Sequence, residues 1–288
     1  DGALITGNRF TWKGTDMKSI THGLFTGHSI DVNIKYNYLD HVPLGIIRKS
    51  SCNMVNNSGG VAYNIVKSGA VAVNVKGISN VSIYNNTLYT DRTTTETWRG
   101  LIRVYTNTDI TPHSVAHGTK IFNNIFYTKN QTISIQISDE ECLKDFESDY
   151  NVFYCENGSP IFDYCGSIKT FEQWQALGYD THSIVINPDF KDFVNFVPTK
   201  RLDYGTNLGT NWIEGLATNA KWGTTSPETA LQNGHWQVGA IIYKEVATTA
   251  PVPVYSGSVI NDATPARLEM TYSLTLANIV PAASSFNV

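Results

Sequence analysis

Several kinds of chemistry are missing from this 288-residue chain. No Asp-Asp dipeptide occurs anywhere in it, so no tandem pair of carboxylates is offered for acid–base chemistry. Its four cysteines, Cys52, Cys142, Cys155 and Cys165, form no CxxC pair, and with the histidines they show no zinc spacing. Cys155 and Cys165 flank a short segment, so either a bridge between them or free thiols fits. Charged residues are only 16% of the chain, and the net charge is −4. A pI of about 6.0 and the lack of a recognised motif argue against nucleic-acid binding. No apolar run approaches the ~18 residues of a membrane helix, and no serine nucleophile elbow is present. Heptads and long 3.6-residue patterns are missing too, which excludes a helical bundle.

What is present is repetition. VSIYNNTLYTD begins at Val81, and TKIFNNIFYTK begins at Thr119. Their shared core is Asn, any residue, then a large apolar residue. It occurs as Asn8-Arg9-Phe10, Asn37-Tyr38-Leu39, Asn64-Ile65-Val66, Asn86-Thr87-Leu88, Asn124-Ile125-Phe126 and Asn151-Val152-Phe153. The asparagines lie 29, 27, 22, 38 and 27 residues apart. A unit of roughly 20–50 residues that recurs is the mark of a solenoid, whose units bury their apolar faces against one another. The units are rich in alternating Val, Ile, Thr, Tyr and Phe, so they are strands. Asn tolerates the left-handed backbone region and carries both a donor and an acceptor. Asn37, Asn86 and Asn124 are therefore expected to stack at one corner and bond the turns above and below.

The rest of the chain divides unevenly. TFEQWQALGY (170–179) reads as a short helix, with Thr170 and Gln173 at capping-box spacing. Trp174 and Trp236 are expected in the core. Residues 194–243, irregular and rich in Gly, Asn and Trp, are the expected cap for the end of the stack. Residues 244–258 read as a linker, and 259–288 as the start of a β-sandwich-like domain. The chain is expected to be a piece of a longer, multidomain, extracellular protein.

The Asn repeat, the short strands and the closing GAIIY resemble the right-handed parallel β-helix of the pectin-lyase-like superfamily, over about residues 1–243. The likeness is to the β-helix carbohydrate-binding modules attached to bacterial xylanases. It implies a non-catalytic, secreted or cell-surface module that binds plant cell-wall polysaccharide, xylan-like in kind, for a covalently linked catalytic domain. It implies no cofactor and no catalytic metal, no nucleic acid and no membrane. The alternatives are a polysaccharide lyase acting on a uronate polymer and a structural spacer.

Residues 17–138 carry eleven Lys and Arg against five acids, so this region is locally basic. Five dispersed acids make no cluster for a hard cation. For a lyase, Arg48, Lys49, Lys76 and Arg103, or His41, His113 and His117, are the candidate bases and uronate-binding cations. Alternation in GIIRKS, VAVNVKG, LIRVYT and SIQIS predicts two outward rows. One is Arg48, Asn74, Arg103 and Gln136; the next is Ser50, Lys76, Tyr105 and Ser138. A slip of one residue would exchange the faces. Trp98, in the polar insertion DRTTTETWRG, is the candidate aromatic platform for a sugar ring. The expected carbohydrate-binding residues are thus Arg48, Asn74, Lys76, Trp98, Arg103, Tyr105 and Gln136.

Overall fold

A computed structural model describes residues 2–14, 22–27, 30–50, 58–92, 100–222, 226–244, 254–260, 262–263 and 268–273. The chain separates into two units, Asp1–Lys244 and Glu245–Val288. The first is almost all β and is built from curled sheets of parallel strands. One sheet holds six short strands in chain order: Leu4–Thr6, Asn33–Lys35, Gly59–Ala62, Val81–Tyr84, Lys120–Phe122 and Glu147–Asp149. The second sheet has 12 strands and bends on itself. Two of them, Tyr38–Lys49 and Ile65–Lys76, are long enough to belong to two runs.

Their first halves pair with Arg9–Thr11 on one side and Thr87–Thr90 on the other, followed by Ile125–Asn130, Val152–Asn157 and Ile184–Val185. Their second halves pair with His22–Gly27 and Ile102–Tyr105, followed by Ile133–Ile137 and Ile161–Tyr164. All these pairings are parallel. Only the last neighbour, Ser167–Thr170, runs antiparallel. Each repeat therefore gives one strand to each of three runs.

In-register parallel pairing puts like residues above one another. Leu39, Val66, Leu88, Phe126 and Phe153, the apolar residues of five triplets, are register partners in sequence, and all are buried. Ile34, Val61, Ile83 and Ile121 meet them from the first sheet. Each such side chain contributes about 1.5–3 kcal/mol through the water it leaves.

The corner between the first two runs is held by asparagine. The Oδ1 of Asn64 accepts from the backbone N and the Nδ2 of Asn37, both at 3.0 Å. Asn86 does the same for Asn64, Asn124 for Asn86, and Asn151 for Asn124. Asn37 accepts both bonds from Asn8. Every Nδ2 also reaches a backbone carbonyl, as from Asn86 to Val61 at 2.8 Å. The left-handed residue is not the ladder asparagine itself but the one before it: Gly7, Tyr36, Tyr63, Asn85, Asn123 and Tyr150 all have φ between 51° and 71°. That twist turns the chain so that the next amide faces inward.

The ladder ends on Asp180, which is fully buried. Its carboxylate accepts from Asn151 Nδ2 (2.8 Å), Ser148 Oγ (2.6 Å), Ser183 Oγ (2.6 Å) and Trp174 Nε1 (2.8 Å). Trp174 comes from the helix Phe171–Ala176, whose capping box of Thr170 and Gln173 is formed as expected. Its ring stacks on Phe162 at 5.0 Å, which closes the apolar interior.

Residues 194–243 do not cover that end, contrary to the sequence reading. They run along the asparagine corner and touch successive repeats. Lys35 donates to Asn211 O, Tyr36 to Glu214 O, Asn85 to Gln237 O and Asn123 to Thr206 O. The left-handed residues project from each turn and present a row of side chains on which the segment docks. Trp212 lies so close to Gly60 that a Cβ there would fall 2.2 Å from its ring. Trp236 is buried, as expected. Cys142, Cys155 and Cys165 are free thiols; Cys52 lies outside the described residues.

In the second unit, Tyr255–Ile260 pairs antiparallel with Leu268–Tyr272. The first of these strands begins inside the stretch read as a linker.

Asn86→Ala should lower unfolding free energy by about 3 kcal/mol, because the buried backbone N of Asn64 loses its acceptor and Val61 O loses the Asn86 donor. Asn8→Ala, at an exposed rung, should cost no more than about 1 kcal/mol. Urea denaturation of both variants measures the difference.

Candidate functional site

Side chains from beyond the last repeat pack on the first two runs: Trp212 on Tyr84, Trp222 on Tyr38 and Phe196 on Tyr89. The second halves of the long strands and the strands that follow them form a third run, which carries an open recess of about 210 Å³. His22, Phe25, Leu44, Ile47, Lys49, Val71, Asn74, Lys76, Arg103 and Tyr105 line it. The register explains this grouping. Phe25, Ile47, Asn74, Arg103, Gln136 and Asp163 are successive partners across the sheet. Two residues further along each strand, Gly27, Lys49, Lys76 and Tyr105 form the next row.

Four of the expected site residues, Asn74, Lys76, Arg103 and Tyr105, are therefore brought together. Arg48 is not among them. It is 0% exposed and points inward, donating to Val32 O at 3.0 Å and Ser58 O at 3.2 Å. Burial pulls its guanidinium down to about 10. The predicted face is off by one residue on this strand, because the doublet Ile46-Ile47 fits either parity. Ile46 is the inward residue, and Ile47 and Lys49 take the outward places expected of Arg48 and Ser50. Gln136 stands in the predicted row but is buried, donating to Asp163 Oδ2 at 2.8 Å with Gly100 packed against it. It closes the row rather than facing solvent. Trp98 lies outside the described residues.

The electrostatics of the recess are dominated by cations. Lys49 and Lys76 are direct partners on adjacent strands, a like-charge pairing that is unfavourable alone. Asp109 relieves it, accepting from Lys76 Nζ at 2.6 Å and Lys49 Nζ at 2.9 Å. These two contacts hold its carboxyl down to about 2, Lys76 contributing most. The Arg103 guanidinium lies 4.0 Å from the centroid of the Tyr105 ring, with Lys76 5.5 Å from it. Burial pushes the Tyr105 phenol up, while Arg103 and a hydrogen bond from Asn74 pull it back. Burial also lowers Arg103. The Nε of Arg103 and the Oδ1 of Asn74 are buried without a hydrogen-bond partner. Both atoms lie beneath the surface, so they cost the fold stability and are not part of what a ligand meets.

His22, Phe25, Ile47 and Asp109 are additions that the sequence pattern did not indicate. His22 is kept below its usual range, first by burial and then by the Lys49 charge, so its imidazole is neutral at pH 7. Phe25 is 54% exposed and meets His22 edge-on at 5.9 Å. Sequence alternation marks Phe25 as outward once the strand is located, but FTGHS offers only a short run. Asp109 comes from a loop, where periodicity says nothing. Among the described residues no group of three or more His, Cys, Asp or Glu side chains is placed to hold a metal ion.

The inward placement of Arg48 is directly testable. Arg48→Ala should destabilise the fold by about 2–4 kcal/mol, since it removes a donor from the buried Val32 O, leaves Ser58 O with Asp31 N alone and empties the space of a fully buried side chain. Lys49→Ala should stay within about 0.5 kcal/mol of the parent. Thermal unfolding followed by circular dichroism distinguishes them.

Comparison with known proteins yields no match: no family model, curated protein or solved structure is similar to this chain.

Proposed function

We propose that the chain is a right-handed parallel β-helix whose third run binds a polysaccharide without cleaving it. The carrying observation is the recess itself. It joins the exposed ring of Phe25, the cations of Lys49, Lys76 and Arg103, and Tyr105 across adjacent strands. Adjacent strands lie about 4.8 Å apart. A sugar chain laid across them meets the charged groups of Lys49, Lys76 and Arg103 on successive strands and the exposed face of Phe25 for ring packing. The Arg103 guanidinium and the Lys76 ammonium, both lining the recess, are donors for sugar hydroxyls. The ligand class, plant cell-wall polysaccharide of the xylan type, rests on the family resemblance. So do the linked catalytic domain and the extracellular location.

A second reading has one observation in its favour. A neutral His22 beside Lys49 is a proton acceptor next to a cation, the pair that β-elimination at a uronate needs. Against it, Tyr105 is pushed toward its neutral form and adds no second base.

Affinity electrophoresis against a polysaccharide panel, with an ultraviolet assay for unsaturated products, separates the two. We expect retardation without product. Arg103→Ala and Tyr105→Ala should each weaken binding by about 1–3 kcal/mol with the fold unchanged. Product that disappears in His22→Ala would establish the lyase instead.

A further inference from the structure

The polysaccharide-binding reading leaves one residue in contact with the lining of the recess unaccounted for. Asp109 is not part of the sheet. It sits at the tip of the loop joining the bridged residues Asn107 and Ser114. The base of that loop is fixed. Asn107 N donates to Ser114 O at 2.7 Å, and Ser114 Oγ donates to Gly77 O at 2.6 Å. Gly77 has a φ of +62°, and a Cβ there would lie 2.5 Å from Asn107 Cβ, so only glycine fits. The tip is different. Thr108, Asp109, Thr111, Pro112 and His113 are exposed. Half of the Asp109 side-chain surface is open to solvent.

A carboxylate thus stands over two lysines on a rigid sheet, carried by an exposed loop tip. Its oxygen occupies the position that a carboxylate on a sugar would take. Exposed ion pairs of this kind add little to stability, so neutralising Asp109 changes the charge of the face and leaves the sheet intact.

We propose that Asp109 is the specificity-determining residue of this face: it holds the Lys49–Lys76 pair and so directs the recess toward uncharged polysaccharide and away from carboxylate-bearing chains. The inference rests on the polysaccharide-binding reading of the same recess. With Asp109 in place, a uronate meets a filled cation pair and a like charge. With Asp109 neutral, the two ammonium groups are open to it, while Phe25 and the Arg103 guanidinium keep their places in the recess.

The test uses the whole chain and two probes, polygalacturonate and neutral β-1,4-xylan, in affinity electrophoresis at fixed salt. Asp109→Asn should bind polygalacturonate about tenfold more tightly than the parent and raise the ratio of polygalacturonate to xylan affinity. Adding Lys76→Met to that variant should cancel the gain. Glu147→Gln makes the same change in net charge at the ion pair with Lys120 on the first sheet, and it should give no gain. An Asp109→Asn variant with no gain, or a gain matched by Glu147→Gln, would overturn the assignment. If the parent ignores xylan yet Asp109→Asn gains polygalacturonate, the role of Asp109 stands and the neutral-ligand reading falls. If xylan binds and no gain appears, the role of Asp109 alone falls. Binding of neither polymer by any variant removes both.

Discussion

The asparagine ladder is the interaction on which the rest of the structure depends. A parallel sheet with buried faces must satisfy its backbone groups wherever the chain turns from one run to the next. Here each turn is completed by the amide of its neighbour, which accepts two bonds and donates onward. No rung is finished by its own repeat. Order is therefore shared along the stack, and the end needs a terminator with acceptors to spare. Asp180 is that terminator, since four donors converge on one carboxylate.

The ladder also decides where function can sit. Its turns push Tyr36, Tyr63, Asn85 and Asn123 outward, and residues 194–243 anchor to them. That docking packs side chains on the asparagine corner and on the second run. The third run, farther along each repeat, keeps its recess. A face left open on a rigid sheet can hold Asn74 and Arg103 with unpartnered polar atoms, because neighbouring strands fix both side chains in place.

Much of this was legible in the residues. The Asn-x-apolar triplet marks the corner because one small amide and one large inward side chain are needed there in every repeat. Thr170 and Gln173 mark the helix because a capping box is a local matter. The row of Asn74, Arg103 and Gln136 follows from alternation in strands with a clear parity. Arg48 was misplaced where two isoleucines in succession remove the parity. Asp109 was invisible because its partners, Lys49 and Lys76, are 60 and 33 residues away and meet it only through the register of the sheet. The lateral course of residues 194–243 depends on a groove that exists only after the repeats have stacked.

The unequal spacing of the rungs carries its own meaning. Asn64 and Asn86 are 22 residues apart, whereas Asn86 and Asn124 are 38 apart, yet both pairs make the same bonds at nearly the same distances. The ladder counts turns, not residues. Material inserted between rungs is invisible to the corner, and the sheets keep their register whatever the loop contains. Such a scaffold can acquire a new rim over its open face by lengthening one repeat, with no compensating change elsewhere. The longest repeat is the one that carries Asp109.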